Sequence, residues 1–195
     1  VATELRESLE GGETSHFCIL DSAGNAVAMT QSLERSFGAK VVTPELGFLY
    51  NGYLKTFKLE NRKHPFFLRP GLPARSNAAP TIALRNGQVK LVIGSTGSER
   101  MVSSIFQVMT RLRFGQAPFE AVAAPRLHCT PVGEVLLEAE RFSPVSRRRL
   151  ERAGFVLSPY PAWAFEVGGL HLAVAEEGNL IGVAEPRRDG ATAAL

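Results

Sequence analysis

Cysteine is scarce in this chain: two residues in 195, Cys18 and Cys129. Two thiols make no disulfide framework, and neither sits in a CxxC or similar ligand spacing, so a stapled scaffold and a structural zinc site are excluded. Both side chains are expected in or near the core. No run of 18 apolar residues exists, which removes a membrane-spanning helix. Strong charge is missing too: the formal net charge is +3 and the pI near 9.1. The basic residues are scattered apart from Arg147, Arg148, Arg149 and Arg152, so no nucleic-acid partner is indicated. Internal repeats, low-complexity tracts, linkers and cofactor motifs are absent. Val1 to Gly12 is too acidic and polar for a signal peptide. The chain does not begin with methionine, so Val1 is expected to lie inside a longer gene product. Localisation therefore stays open among periplasm, secretion and cytoplasm.

What is present is ordinary globular composition, 45% hydrophobic and 21% charged, enough for one domain with a substantial core. Residues 1–13 read as a leader with four glutamates and the flexible pair Gly11-Gly12; residues 14–195 read as the domain. Ser15 to Leu20 and Ala26 to Ser32 are strand-like runs around Asp21-Ser22-Ala23-Gly24-Asn25, whose Gly and Asn accept positive φ, so a hairpin is expected. Short strands are expected at 37–42 and 47–51 around the turn 43–46. Residues 55–79 carry three prolines and little periodicity and read as a long loop of the kind that carries function. A second hairpin is expected at 80–93 around Asn86-Gly87, and a third at 170–184 around Gly178-Asn179. Between them, helices are expected over 101–112, where apolar residues recur at helical spacing, over 117–124, ended by Pro125, and from Ser143-Pro144 to about Gly154. A strand spans 134–138. Strands, then helices, then strands indicate an α+β fold. Met101, Met109 and the phenylalanines are assigned to the core.

Four stretches carry possible chemistry: Thr14, the hydroxyl-rich end Thr30-Gln31-Ser32, the loop Arg75-Ser76-Asn77-Ala78, and the turn Gly94-Ser95-Thr96-Gly97-Ser98-Glu99-Arg100. Successive backbone N–H groups in such a turn, at a helix start, favour a negative oxygen, whether phosphate or oxyanion; a tight strand-to-helix turn needing small residues explains the same sequence. A threonine hydroxyl is a poor nucleophile without a base. It acquires one when its own nitrogen is a free N-terminal amine, with a reference pKa of about 7.7 to 8.0. Thr14 can therefore act only after the Glu13–Thr14 bond is cut. His16 and His128 are assigned to packing or hydrogen bonding ahead of catalysis, and Asn51 either contacts substrate or makes a strand-end turn.

Thr14-Ser15-His16-Phe17, Asp21, Gly24-Asn25-Ala26-Val27 and Thr30 resemble the start of the small subunit of γ-glutamyltransferases, which are N-terminal-nucleophile hydrolases. The likeness continues through Phe37-Gly38, Gly47-Phe48-Leu49, Ser76, Pro80-Thr81-Ile82, the turn at 94–100, Ala124-Pro125-Arg126-Leu127-His128 and Glu185-Pro186-Arg187. The resemblance implies a four-layer αββα sandwich and a precursor that cuts itself before Thr14. It implies Thr14 as nucleophile, Ser32 as the group orienting it, and the backbone of Gly97 and Ser98 as oxyanion donors. Residues 1–13 would be the tail of a large subunit, the partner of this chain, and the substrate a γ-glutamyl compound such as glutathione.

The residues that would read the substrate depart from the family pattern. Glu34 stands where asparagine is usual, Tyr53-Leu54-Lys55-Thr56 replaces an acidic loop, Ser76-Asn77 replaces a serine pair, and Ser98 replaces a second glycine. With Asn51, the expected substrate contacts are Glu34, Ser76 and Asn77. Glu34 either supplies the missing carboxylate or is a solvated strand-end acid. Two alternatives accompany γ-glutamyl chemistry: an amidohydrolase acting on another small carboxylated amide, and an unprocessed, non-catalytic family member.

Overall fold

The computed structural model describes residues 14–194; the leader 1–13 and the Glu13–Thr14 bond lie outside the described residues. Strands β1 (Thr14–Leu20) and β2 (Ala26–Ser32) form the expected hairpin. Its turn is held by the Asp21 carboxylate, which accepts from the Asn25 backbone and side-chain N–H groups at 2.8 Å each. Gly24 at φ +86° supplies the left-handed step.

The described residues divide into two compact units, 14–15 with 31–77 and 16–30 with 78–194. The first has little regular structure: one 3₁₀ turn (Tyr53–Thr56) and the isolated bridges Val42–Leu49 and Lys58–Phe67. The strands expected at 37–42 and 47–51 therefore reduce to a single bridge. Phe37, Gly38, Lys40 and Gly47 all take positive φ, which a strand cannot accommodate. Gly38 is required there, because a Cβ would overlap the Tyr50 carbonyl.

The second unit holds β3 (Thr81–Arg85), β4 (Gln88–Ser95), helices α1 (Arg100–Arg113) and α2 (Pro118–Ala123), β5 (Leu127–Cys129), β6 (Glu134–Glu138), α3 (Pro144–Arg152), β7 (Val156–Tyr160), β8 (Leu170–Glu176) and β9 (Asn179–Val183). The antiparallel sheet β3-β4-β8-β9 is its centre. Asn86 and Gly87 at φ +53° and +77° give the twist-matched turn that the sequence announces. Along β4 and β8 the side chains alternate: Leu91, Ile93, Leu170 and Leu172 bury against Ile105 and Val108 of α1 and Ala121 and Val122 of α2. On the other face, the His16 ring lies on the backbone of Gly94, where a Cβ would overlap it, and Cys18 reaches the His171 carbonyl at 3.5 Å. Hairpin, sheet and helices thus form successive layers within this unit. Residues Phe17, Ile19, Val27 and Met29 of the hairpin are exposed.

A smaller sheet, β5-β6-β7, pairs β6 parallel to β7, with α3 between them in sequence. Ser143 caps α3, accepting from the Ser146 N–H at 3.1 Å ahead of Pro144. Neither β5 nor β7 was legible: β5 has three residues, and β7 contains Pro159, tolerated because β7 is an edge strand. Two assignments to the core are corrected. Cys129 is exposed, and Phe17, Phe37, Phe48, Phe106, Phe114, Phe119 and Phe165 are exposed, whereas Met101 and Phe57 are buried.

Charge, not only apolar packing, holds this unit. Arg126, Glu138, Glu185 and Arg187 are buried, with Arg126 to Glu185 at 2.6 Å, Arg187 to Glu138 at 2.6 Å and Arg187 to Glu185 at 2.9 Å. Burial alone would raise the Glu138 carboxyl, but hydrogen bonds from Arg187 and the Arg126 backbone N–H outweigh it and hold it below the ordinary carboxylate range. Burial pulls the Arg126 guanidinium down to about 10, which still leaves it charged at neutral pH. Glu138→Gln leaves Arg187 short of a buried counter-charge and is expected to lower unfolding free energy by about 3–5 kcal/mol at pH 7, read by urea denaturation. A depressed carboxylate stabilises above its unfolded pKa and loses that contribution as pH falls through the folded value, so the deficit of the variant should shrink in acid.

Candidate active site

Thr14 opens β1 and Ser32 closes β2, so the hairpin brings their hydroxyls together, Oγ1 to Oγ at 2.9 Å. The Ser32 oxygen also accepts the Glu34 backbone N–H at 2.9 Å. The Ser32 oxygen thus touches both the Thr14 hydroxyl and the backbone that follows β2, and either hydroxyl of the pair can donate to the other. Glu34 is a non-glycine residue at φ +73°, a conformation that persists only when its surroundings enforce it. Two contacts do so: the N–H bond to Ser32 and an ion pair from Oε1 to Lys55 Nζ at 2.8 Å. Glu34 is thus no solvated strand-end acid; its side chain is 17% exposed.

The other expected substrate contacts lie in the same unit but are spread along the loop. The Asn51 side chain accepts from the Tyr53 N–H at 3.1 Å, the strand-end turn of its two readings. Ser76 Oγ lies 3.3 Å from the Tyr53 hydroxyl, and Asn77 is exposed. Thr14, Ser32 and Glu34 are the expected residues that the structure joins by direct contact.

The turn after β4 belongs to the second unit. Gly97 and Ser98 take φ +111° and +55°, so Ser98 adopts the left-handed conformation that a glycine would otherwise supply. Gly97 cannot carry a side chain, since a Cβ would come within 2.8 Å of Gly168 Cα. The carbonyls of both residues are used, by the N–H groups of Arg100 and Met101 at 3.1 and 3.3 Å, while among the described residues their own N–H groups have no backbone acceptor. Behind the turn, Thr96 and Gly169 exchange hydrogen bonds at 2.7 and 3.2 Å, and Ser104 donates to the Val167 carbonyl. Arg126 donates to Gly168 at 2.9 Å, which ties this brace to the buried ionic network. That network is the part of the site's support which composition and spacing missed; the motifs around Arg126 and Glu185 to Arg187 were the signal for it.

His16 and His128 make hydrogen bonds. Nδ1 and Nε2 of His16 lie 2.8 Å from Thr30 Oγ1 and 3.1 Å from Cys18 Sγ. Burial, reinforced by His171, lowers its pKa to about 4, and burial raises the Cys18 thiol to about 12. Both are neutral near pH 7, so the thiol is inert and the imidazole is a hydrogen-bonding link. His128 Nδ1 meets Ser103 Oγ at 2.9 Å. Among the described residues no cluster of histidine, cysteine or carboxylate groups could hold a metal ion, and no helix is long and apolar enough to cross a membrane.

The layered α+β fold of the chain is that of an N-terminal-nucleophile hydrolase. The chain aligns with the gamma-glutamyltranspeptidase from Pseudomonas nitroreducens complexed with L-DON at 28% identity and a TM-score of 0.81, over 93% of this chain and 99% of that one. It is 32% identical to the glutathione hydrolase proenzyme of Pseudomonas aeruginosa over 79% of its residues. It is also 32% identical to the Acylase ACY 1 proenzyme of Pseudomonas sp. strain V22 over 96%. The sequence model for Gamma-glutamyltranspeptidase matches residues 2–195, and the chain belongs to that family. It spans 30% and 33% of the length of those two curated relatives.

The depressed pKa of His16 makes a testable statement about stability. Between about pH 6.5 and 4 the unfolded chain protonates this group and the folded chain does not, so stability falls on acidification through that window. In urea titrations, His16→Gln should flatten that part of the pH profile; an unchanged slope would contradict a neutral buried imidazole.

Proposed function

We propose that this chain is the catalytic part of a self-processed amide hydrolase or acyltransferase with Thr14 as nucleophile, paired with a large subunit from the upstream part of the same precursor. The observation that carries the reading is the 2.9 Å contact between Thr14 and Ser32 at the open end of the hairpin. In processing, Thr14 Oγ1 attacks the Glu13 carbonyl carbon, the Glu13–Thr14 C–N bond breaks to leave an ester, and water hydrolyses that ester. The product is a free Thr14 amine.

In turnover the amine takes the Thr14 hydroxyl proton as Oγ1 attacks the substrate amide carbon. Collapse of the tetrahedral intermediate breaks the C–N bond, and the amine passes its proton to the leaving nitrogen. Water or a second amine then removes the acyl group from Oγ1. Ser32 orients the nucleophile, and the Gly97 and Ser98 N–H groups take the oxyanion role. One backbone donor of this kind contributes on the order of 100-fold or more in rate. The acyl group is γ-glutamyl, as in the glutathione hydrolases, or that of another small carboxylated amide; the acylase relative and the Glu34–Lys55 pair favour keeping the second reading. Glu34, Asn51, Ser76 and Asn77 are the proposed substrate contacts. The large subunit is proposed to cover the apolar outer face of the hairpin at Phe17, Ile19, Val27 and Met29, which would otherwise remain in water.

The full-length precursor should yield a new N-terminus Thr14-Ser15-His16 on N-terminal sequencing, and Thr14→Ala should stay uncut. A wild-type precursor that remains intact after prolonged incubation would instead identify a non-catalytic family member. In the matured enzyme, Gly97→Ala should lower kcat by roughly 100-fold with a smaller effect on KM.

A further inference from the structure

We infer that the Glu34–Lys55 pair reads a substrate carboxylate, so that the preferred acyl donors are monoamides of dicarboxylic acids that lack an α-ammonium group. The inference rests on Thr14 being the nucleophile and specifies the substrate class for that same site. An unbroken chain of contacts leads to it: Thr14 Oγ1 to Ser32 Oγ at 2.9 Å, Ser32 Oγ to the Glu34 N–H at 2.9 Å, and Glu34 Oε1 to Lys55 Nζ at 2.8 Å. The left-handed backbone at Glu34 turns its side chain toward the 3₁₀ turn that carries Lys55, and its Oε2 also lies 3.9 Å from Arg35 Nε.

The charges decide which substrate group is accepted. One carboxylate, Glu34, faces two cations, Lys55 and Arg35, which leaves this cluster at net +1. Glu34 has committed one oxygen to Lys55, and its other oxygen, Oε2, is buried without a hydrogen-bond partner among the described residues, 3.9 Å from Arg35 Nε. An incoming ammonium would meet a neutralised carboxylate beside a surplus positive charge. A carboxylate would meet Lys55, whose side chain is 41% exposed and whose ammonium has three N–H donors, only one of them needed by Glu34. The remaining side chains of the loop that are candidates for substrate contact, Asn51, Tyr53, Ser76 and Asn77, are neutral and bind carboxylate or amide without favouring an ammonium. Glu34 therefore holds Lys55 in place, and Lys55 makes the charge-assisted contact.

Two chromogenic probes separate the possibilities, because glutaryl-4-nitroanilide and γ-glutamyl-4-nitroanilide differ only in the α-amino group. With enzyme matured from the full precursor, kcat/KM should favour the glutaryl compound by on the order of tenfold. Lys55→Met should remove that preference, mainly through a higher KM for the glutaryl compound, while Lys55→Arg keeps it. If Lys55→Met fails to self-cleave, Lys55→Gln serves in its place, and the wild-type ratio decides if neither matures. A wild-type preference for the γ-glutamyl compound, no hydrolysis of either anilide by self-cleaved enzyme, or a ratio unmoved by the Lys55 variants overturns the inference while the threonine chemistry stands. A precursor that does not self-cleave overturns the proposed function itself, and this inference with it.

Discussion

A buried exchange of charge between two arginines and two glutamates organises the larger unit. Arg187 binds both Glu138 and Glu185, Arg126 binds Glu185, and each arginine spends further donors on the carbonyls at the end of α2. This lets one group of side chains fasten β6, the end of α2 and the segment after β9 at once. Trp163 closes the network, its ring lying 3.5 Å from the Arg141 guanidinium and 5.2 Å from that of Arg187. Buried ion pairs are a costly way to stabilise a core, so their use here calls for a geometric reason. Arg126 offers one: its guanidinium also holds the Gly168 carbonyl, and Gly168 packs where a Gly97 side chain would be. The positive-φ turn at Gly97 and Ser98 is therefore backed by charge rather than by compressible apolar side chains.

How much of this was legible depends on whether the signal was local. The hairpins at 14–32, 81–95 and 170–183, and the helices at 100–113, 118–123 and 144–152, follow from turn chemistry, caps and periodicity that lie within a few residues of one another. The failures are non-local. Strand β7 forms because β6 offers it a parallel partner register from Glu134–Val156 to Glu138–Tyr160, and nothing inside Val156–Tyr160 announces that. The segment 37–51 has strand-forming residues, but four positive-φ positions at Phe37, Gly38, Lys40 and Gly47 override the propensity. At the site, the pairing of Thr14 with Ser32 was implied by the family resemblance, whereas the partner of Glu34 required the fold, because Lys55 lies beyond an irregular loop.

The hairpin shows how one short sequence separates two duties by strand alternation. His16 and Cys18 face the sheet and are hydrogen-bonded to each other, to Thr30 and to the His171 carbonyl, which keeps these polar groups satisfied between hairpin and sheet. Phe17, Ile19, Val27 and Met29 face the opposite way and are exposed. An exposed apolar face on a two-stranded ribbon is unusual for a free surface, and a two-stranded ribbon is marginal alone. Packing on Gly94 through an imidazole that stays uncharged near neutrality supplies one side of its support.

Glu34 is where local preference and global demand conflict most plainly. A non-glycine residue at φ +73° costs of order 1 kcal/mol or more, and a less strained chain would place glycine or asparagine there. Asparagine tolerates the left-handed region and would satisfy the same backbone bond to Ser32. What asparagine lacks is a charge for Lys55, so the backbone strain at Glu34 persists together with the lysine rather than for the turn itself. The two departures from the family pattern at positions 34 and 55 are then coupled in the structure, because the glutamate beside Ser32 fixes where the lysine stands. The strain at Glu34 is thus retained one contact away from the Thr14–Ser32 pair, where the same residue holds the lysine of the 3₁₀ turn.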